Sequence, residues 1–205
     1  MDPFWLQPQF FFLPFIAIAI VMILFVRARL RAKIAPLSEV LDGQQGEITG
    51  PVASTLTGMF KGREASFVLT PGGRNSPPKF FINVACGGPL LFDIYREDIG
   101  SRFAKRLHLL TDVEIGDAEL DAKLVFSCKD PDPFTRWMAG VDVKRAVSLL
   151  LLSQNVDRLA LEDGRLRAAH FHYKMSDLEI SRVRAVLEEM ESVVRSLQEG
   201  GTWRS

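Results

Sequence analysis

At 205 residues, with 25 basic and 25 acidic side chains, the chain is long enough for one core of ordinary size and carries no formal net charge. Setting aside Asp2 and the basic cluster Arg27, Arg29, Arg31 and Lys33, the part from Ile34 onward holds 21 basic and 24 acidic residues, which argues against a nucleic-acid-binding surface. The two cysteines, Cys86 and Cys128, are far apart and form no Cys-x-x-Cys pair, so neither a zinc site nor a disulfide framework is signalled and reduced, buried thiols are expected.

Residues 1–9 read as a short tail. Phe10 to Val26 follows as FFFLPFIAIAIVMILFV, 17 residues without a charge or a polar side chain. As a helix this is roughly 26 Å long, against about 30 Å of bilayer hydrocarbon. Pro14 falls near the start of the span, where the loss of one backbone donor is tolerated. A cleaved signal peptide needs a basic stretch before the apolar run and small residues after it; here the order is reversed, and Arg27, Arg29, Arg31 and Lys33 come after. The expectation is an uncleaved single-pass anchor in the cell (inner) membrane, with the N-terminus outside and the larger part cytoplasmic. The basic flank serves as a topology signal, and it also suits contact with anionic lipid.

Residues 27–42 read as a basic juxtamembrane connector ending in a brief amphipathic stretch with Leu37, Val40 and Leu41. Residues 43–200 are expected to form one cytoplasmic α+β domain, followed by a tail at 201–205. Leu56 to Phe60 and Ala65 to Thr70 pattern as strands around Lys61-Gly62-Arg63-Glu64, a hairpin with glycine at positive φ. PGGRNSPP at 71–78 is a loop. Lys79 to Cys86 and Leu90 to Arg96 read as two further strands joined through Gly87-Gly88-Pro89. Glu97 to Leu110 patterns as an amphipathic helix, and Thr111 to Asp121 as an acidic connector. Lys123 to Cys128 is a strand, and Asp132-Pro133 predicts a helix start with aspartate as N-cap. A second helix over Asp142 to Ser153 ends in four leucines expected in the core. Val156 to Tyr173 is a hairpin about the Asp163-Gly164 turn, in which Leu161 pairs with Leu166, Leu159 with Ala168 and Val156 with Phe171. Ser176 with Glu179 reads as a capping box for a helix over 177–199. The apolar stripe of that helix is wide enough to favour packing on its own domain over a coiled coil.

The stretch GDAELDAKLVFSCKDPDPFTRWM, followed by VDRLALEDGRLRAAHF, resembles a pattern in uncharacterised bacterial membrane-anchored proteins, in which a Gly-Asp pair, a short strand, an Asp-Pro turn, a helix and a closing hairpin follow one another. TGMFKGREASFV at 57–68 is similar to an earlier hairpin of such proteins. The resemblance implies architecture and assigns no catalytic residue, substrate or cofactor.

Among residues able to carry chemistry, His170 and His172 alternate on a strand and so point to one face, with Asp157 opposite His170. Such a set could orient an imidazole for base chemistry or supply two metal ligands, but a buried structural pair fits as well. His108 patterns as a surface residue. The acidic run 112–121 departs from the calcium-loop spacing and reads as a solvated loop. Pro71-Gly72-Gly73-Arg74 lacks the phosphate-loop pattern, and Lys129 beside Cys128 is a weak signal of a depressed thiol pKa. No catalytic centre, metal quartet or cofactor motif stands out. The reading is a membrane-tethered α+β domain that binds a protein partner, a second copy or the membrane surface. The alternative is a membrane-anchored hydrolase using the His170/His172 region.

Overall fold

The computed structural model describes residues 9–42, 47–49, 53–74, 76–88, 90–96 and 113–199. The expected helix at 97–110, with His108, and Asp112 of the acidic run lie outside the described residues.

The protein is α+β: one apolar N-terminal helix, an antiparallel sheet and a long C-terminal helix. Helix α1 covers Gln9–Ile34, with Pro14 inside it. It is long and apolar enough to cross a membrane, and almost none of its apolar stretch is buried within the protein. This makes it a candidate anchor. The helix does not stop at Val26. It continues through the basic residues to Ile34, and a 3-10 turn over Ala35–Val40 follows directly. Leu30, Ile34, Leu37, Val40 and Leu41 are all buried in the main core, so the expected connector is an integral wall of the domain.

Eight strands are described: β1 Glu47–Thr49, β2 Ser54–Phe60, β3 Arg63–Thr70, β4 Lys79–Ala85, β5 Phe92–Arg96, β6 Leu124–Cys128, β7 Arg158–Glu162 and β8 Arg165–Phe171. Their order across the sheet is β1-β2-β3-β4-β8-β7-β5-β6, and every paired neighbour is antiparallel. The two clearest hairpins close through two-residue turns in which both residues have positive φ: Lys61 49° with Gly62 80°, and Asp163 52° with Gly164 70°. Their twist matches that of the flanking strands. The second turn sets the register that places Leu161 opposite Leu166 and Leu159 opposite Ala168. The ladder ends at Arg158 opposite Ala169, so Val156 does not meet Phe171. It turns into the core, where its N–H donates to the Leu150 carbonyl. The strands β4 and β5, consecutive among the described strands, do not pair either, because the β7–β8 hairpin inserts between them.

One face of the sheet is covered. Leu56, Phe67, Ile82, Ala168, Leu159 and Ile94 run across it at matched register positions and are fully buried. Helix α5, Ile180–Glu199, lies over β4 and β8 and buries Val183, Val186, Leu187, Met190, Val193, Val194 and Leu197. The expected stripe therefore packs on its own domain. The foot of α1 and its 3-10 turn flank α5 on one side, over β2 and β3. On the other side lie helix α3, Pro131–Met138, and helix α4, Val141–Ser148, which continues as a π turn over Leu149–Ser153. Helix α2 is the single turn Ala118–Asp121 before β6. Phe92, Phe134 and Trp137 stack at centroid separations of 5.0–5.8 Å, and the Trp137 indole N–H donates to Ser196 Oγ at 3.0 Å. Gly58 on β2 lets Leu41 cross the strand: a Cβ there would stand 2.6 Å from Leu41 Cδ1.

Two helix starts differ from expectation. In the repeat Asp130-Pro131-Asp132-Pro133 the first pair is used, with Asp130 as N-cap and Pro131 at the first helical position. Starting there adds two residues to the turn that presents Phe134 to the core. At the other end, Asp177 replaces the expected Ser176–Glu179 box. Its carboxylate accepts from the Lys174 N–H at 2.6 Å and pairs with Arg182, a 3-10 turn covers Met175–Leu178, and the α-helix begins at Ile180. A buried carboxylate needs such donors, whereas an exposed glutamate at 179 gains little from capping.

Candidate membrane-proximal site

Residues Phe25, Arg29 and Lys33 are spaced four apart on α1, and Val26 and Leu30 lie beside them, so all five share one side of the helix. This side faces the loop at Pro71, Gly72 and Pro78 and the segment carrying Tyr173 and Met175. Between them is a groove of about 400 Å³ at the level where the apolar run gives way to basic residues. Lys33 Nζ sits 5.8 Å from the centroid of the Tyr173 ring. Burial pushes the Tyr173 hydroxyl pKa up, and the nearby Arg29 guanidinium opposes that shift. Met175 is 60% exposed and Phe25 62%, so the lip of the groove is apolar on both sides. Arg29 and Lys33 make no ion pair among the described residues.

The face of the sheet that no described helix covers is the second polar surface. Arg158 pairs with Asp93 at 2.7 Å, Arg165 with Glu64 at 2.8 Å, and Arg167 with Glu162, while Arg167 Nε also donates to Asn83 Oδ1 at 2.9 Å. Phe81 and Phe171 lie between these charges, under Arg167 and Lys79 respectively. Only Arg167 and Asn83 are directly opposite; Arg158–Asp93 and Arg167–Glu162 are diagonal neighbours on one face, and Arg165 reaches over β4 to Glu64 on β3.

The histidines are separated. His170 is buried on the covered face and stacks on Phe80 at 5.9 Å. Its Nδ1 lies 3.0 Å from the Asn155 carbonyl. A carbonyl only accepts, so Nδ1 carries the proton and Nε2, which has no hydrogen-bond partner among the described residues, is the bare nitrogen of a neutral ring. Burial holds its pKa below the ordinary histidine value, against the opposing field of Asp177. His172 has φ 56° and is exposed. That left-handed residue breaks the strand alternation, so the two rings do not share a face. Asp157 does not pair with His170: its carboxylate accepts from the Phe171 N–H at 2.6 Å and from Arg96.

The acidic run closes a turn. Asp121 accepts from the N–H groups of Ile115 and Asp117, each at 3.0 Å, and Asp117 caps α2 at Leu120 and pairs with Lys144. The hydrogen bond from Lys144, with that from the Leu120 N–H, holds the Asp117 carboxyl below its usual range. Among the described residues no group of three or more His, Cys, Asp or Glu is placed to hold a metal. Cys86 and Cys128 are both free thiols. Burial raises the pKa of each, and Asp130 adds to the rise at Cys128, the opposite of what Lys129 alone would do. Sequence reasoning found Arg29 and Lys33 but missed Tyr173, Met175, Gly72 and Pro78, which no local pattern links to α1.

No protein-family model matches the chain, and no curated protein matches it in sequence. Among solved structures it is similar to the crystal structure of the mycobacterial trehalose monomycolate transport factor A, TtfA. The TM-score is 0.52 at 13% sequence identity, covering 83% of this chain and 96% of that one. At this identity the likeness is one of fold.

Proposed function

We propose that the protein is a single-pass, membrane-tethered module that is not an enzyme and that serves a transport-related role at the membrane, by binding a protein partner, a second copy or the membrane surface. In this reading residues 10–26 span the inner membrane, residues 1–9 lie outside, and the domain over 43–200 is cytoplasmic, with the flank at 27–42 built into it. The observation that carries the reading is the unbroken helix from the apolar run into the core, where Leu30 and Ile34 are buried. A domain attached this way is held close against the bilayer, which raises its effective concentration for partners there. The fold shared with a mycobacterial transport factor supports the role in transport.

Two measurements test this. A reporter fused after Ser205 should be active only as a cytoplasmic reporter; alkaline phosphatase activity from that fusion would reverse the topology. Crosslinking in native membranes should capture a discrete partner with the full chain, and replacing residues 9–26 by an unrelated span should retain it. A chain that works equally well without any span would overturn the tether.

A further inference from the structure

The apolar and cationic parts of the groove are ordered along α1 as the parts of a lipid are ordered across a leaflet. Phe25 and Val26 come first, then Arg29 and, four residues further, Lys33, each four-residue step rising about 6 Å. On the opposite wall Met175 stands exposed at the lip, and Tyr173 lies beneath Lys33. We infer that this groove is a binding site for one anionic phospholipid of the cytoplasmic leaflet, its phosphate between Arg29 and Lys33 and the start of an acyl chain along Phe25 and Met175. The inference rests on α1 being the membrane span, and it adds a defined site to that reading.

Three observations select this occupant. The groove has two cations and no carboxylate paired to them among the described residues, so an anion complements it. Positive side chains four apart on a helix repel, and an anion between them relieves the repulsion. The lip is apolar on both sides at the depth where α1 leaves the hydrocarbon, which a free inorganic ion would not use. Arg27 and Arg31 are two positions away from Arg29 and Lys33, about 200° around the helix, and do not line the groove. They are half-buried, and Arg31 has a partner of its own, so they serve as a control for the charge of the flank when the double variant keeps the urea midpoint of the parent chain.

The test uses the full chain purified in mild detergent and titrated with phosphatidylglycerol or phosphatidylcholine, with bound lipid counted by native mass spectrometry. One phosphatidylglycerol should be retained about tenfold more tightly than phosphatidylcholine. Arg29→Gln with Lys33→Gln should weaken it roughly 30-fold, and Arg29→Gln alone, at an exposed position, about fivefold. Arg27→Gln with Arg31→Gln should change it less than about threefold. Met175→Glu should also weaken it, by putting a carboxylate at the lip. Equal losses in the two double variants, equal retention of the two lipids, or displacement by inorganic phosphate at the concentration of the lipid would each overturn the site. Flotation of the same full chain with membranes checks the tether separately, so loss of the groove with retained flotation leaves the proposed module standing.

Discussion

The open face of the sheet and the groove at the foot of α1 are both rich in basic side chains, but they dispose of the charge differently. On the sheet, Arg158, Arg165 and Arg167 each meet a carboxylate. Antiparallel register brings opposite charges together within the chain, so little of that surface is free to attract an anion. At the groove, Arg29 and Lys33 lie on one helix, whose spacing sets like charges side by side. A helix cannot supply counter-charges from a facing strand, and the opposing wall contributes Pro71, Gly72, Pro78, Tyr173 and Met175. The number of cations therefore says less about binding than the element that carries them.

The largest expected effect breaks the groove's wall. A fragment beginning at Ala35 loses Leu30 and Ile34 from the core, while one beginning at Arg27 keeps them. The shorter fragment should be less stable by about 3–6 kcal/mol, from two buried side chains at about 1.5–3 kcal/mol each, read as a drop in the urea midpoint. Equal midpoints would mean that α1 is not fixed to the domain.

Next is Arg63→Met, which leaves the buried Glu191 carboxylate without its 2.9 Å partner. It should cost about 3 kcal/mol in the same denaturation assay, the low end for a broken buried pair, since Arg195 at 3.9 Å is left as a weaker partner of the buried carboxylate. Gly164→Val comes third, at about 1 kcal/mol or more, because a β-branched residue resists the φ of 70° that the β7–β8 turn requires. An unaltered midpoint would show that the cross-strand pairing of the open face does not depend on this turn.

A smaller effect follows pH. His170 is a buried basic group whose ring hydrogen-bonds a backbone carbonyl rather than a carboxylate, and burial depresses its pKa in the folded protein. The unfolded chain takes up the proton near pH 6.5, the folded one only at lower pH. The contribution to stability is complete above about pH 6.5 and is lost as pH falls through that value toward the folded pKa. His170→Gln should flatten this part of a stability profile measured between pH 8 and 5, whatever its constant cost. A profile of the same slope in the variant would remove His170 as its source. Smallest is Glu162→Gln, which removes the half-exposed pair with Arg167 but leaves the Arg167 hydrogen bond to the buried Asn83, and should be worth less than about 1 kcal/mol by the same denaturation measurement. A loss as large as that of Arg63→Met would erase the distinction between surface and buried pairs.

What the sequence determined by itself was local. The apolar run of α1, the Lys61-Gly62 and Asp163-Gly164 turns, and the α5 stripe depend on period and on the φ that glycine allows, so neighbouring residues suffice to specify them. Tertiary structure decided what lies between distant segments. The β7–β8 hairpin enters between β4 and β5 because both of its sides need a partner strand and its apolar face needs the cover of α5. His172 turns outward through a left-handed residue although strict alternation would set it beside His170. Asp130 rather than Asp132 starts α3, and Asp177 rather than Ser176 closes the turn before α5, since each choice depends on which side chains must then be buried. The groove belongs to the same class. Arg29 is readable in the sequence, but Tyr173 and Met175 reach it only when β8 packs beside β4 and the chain beyond Phe171 turns back toward α1. Such placements are set by the burial of whole faces, an energy summed over many residues far apart in the chain, and no short window of sequence contains it.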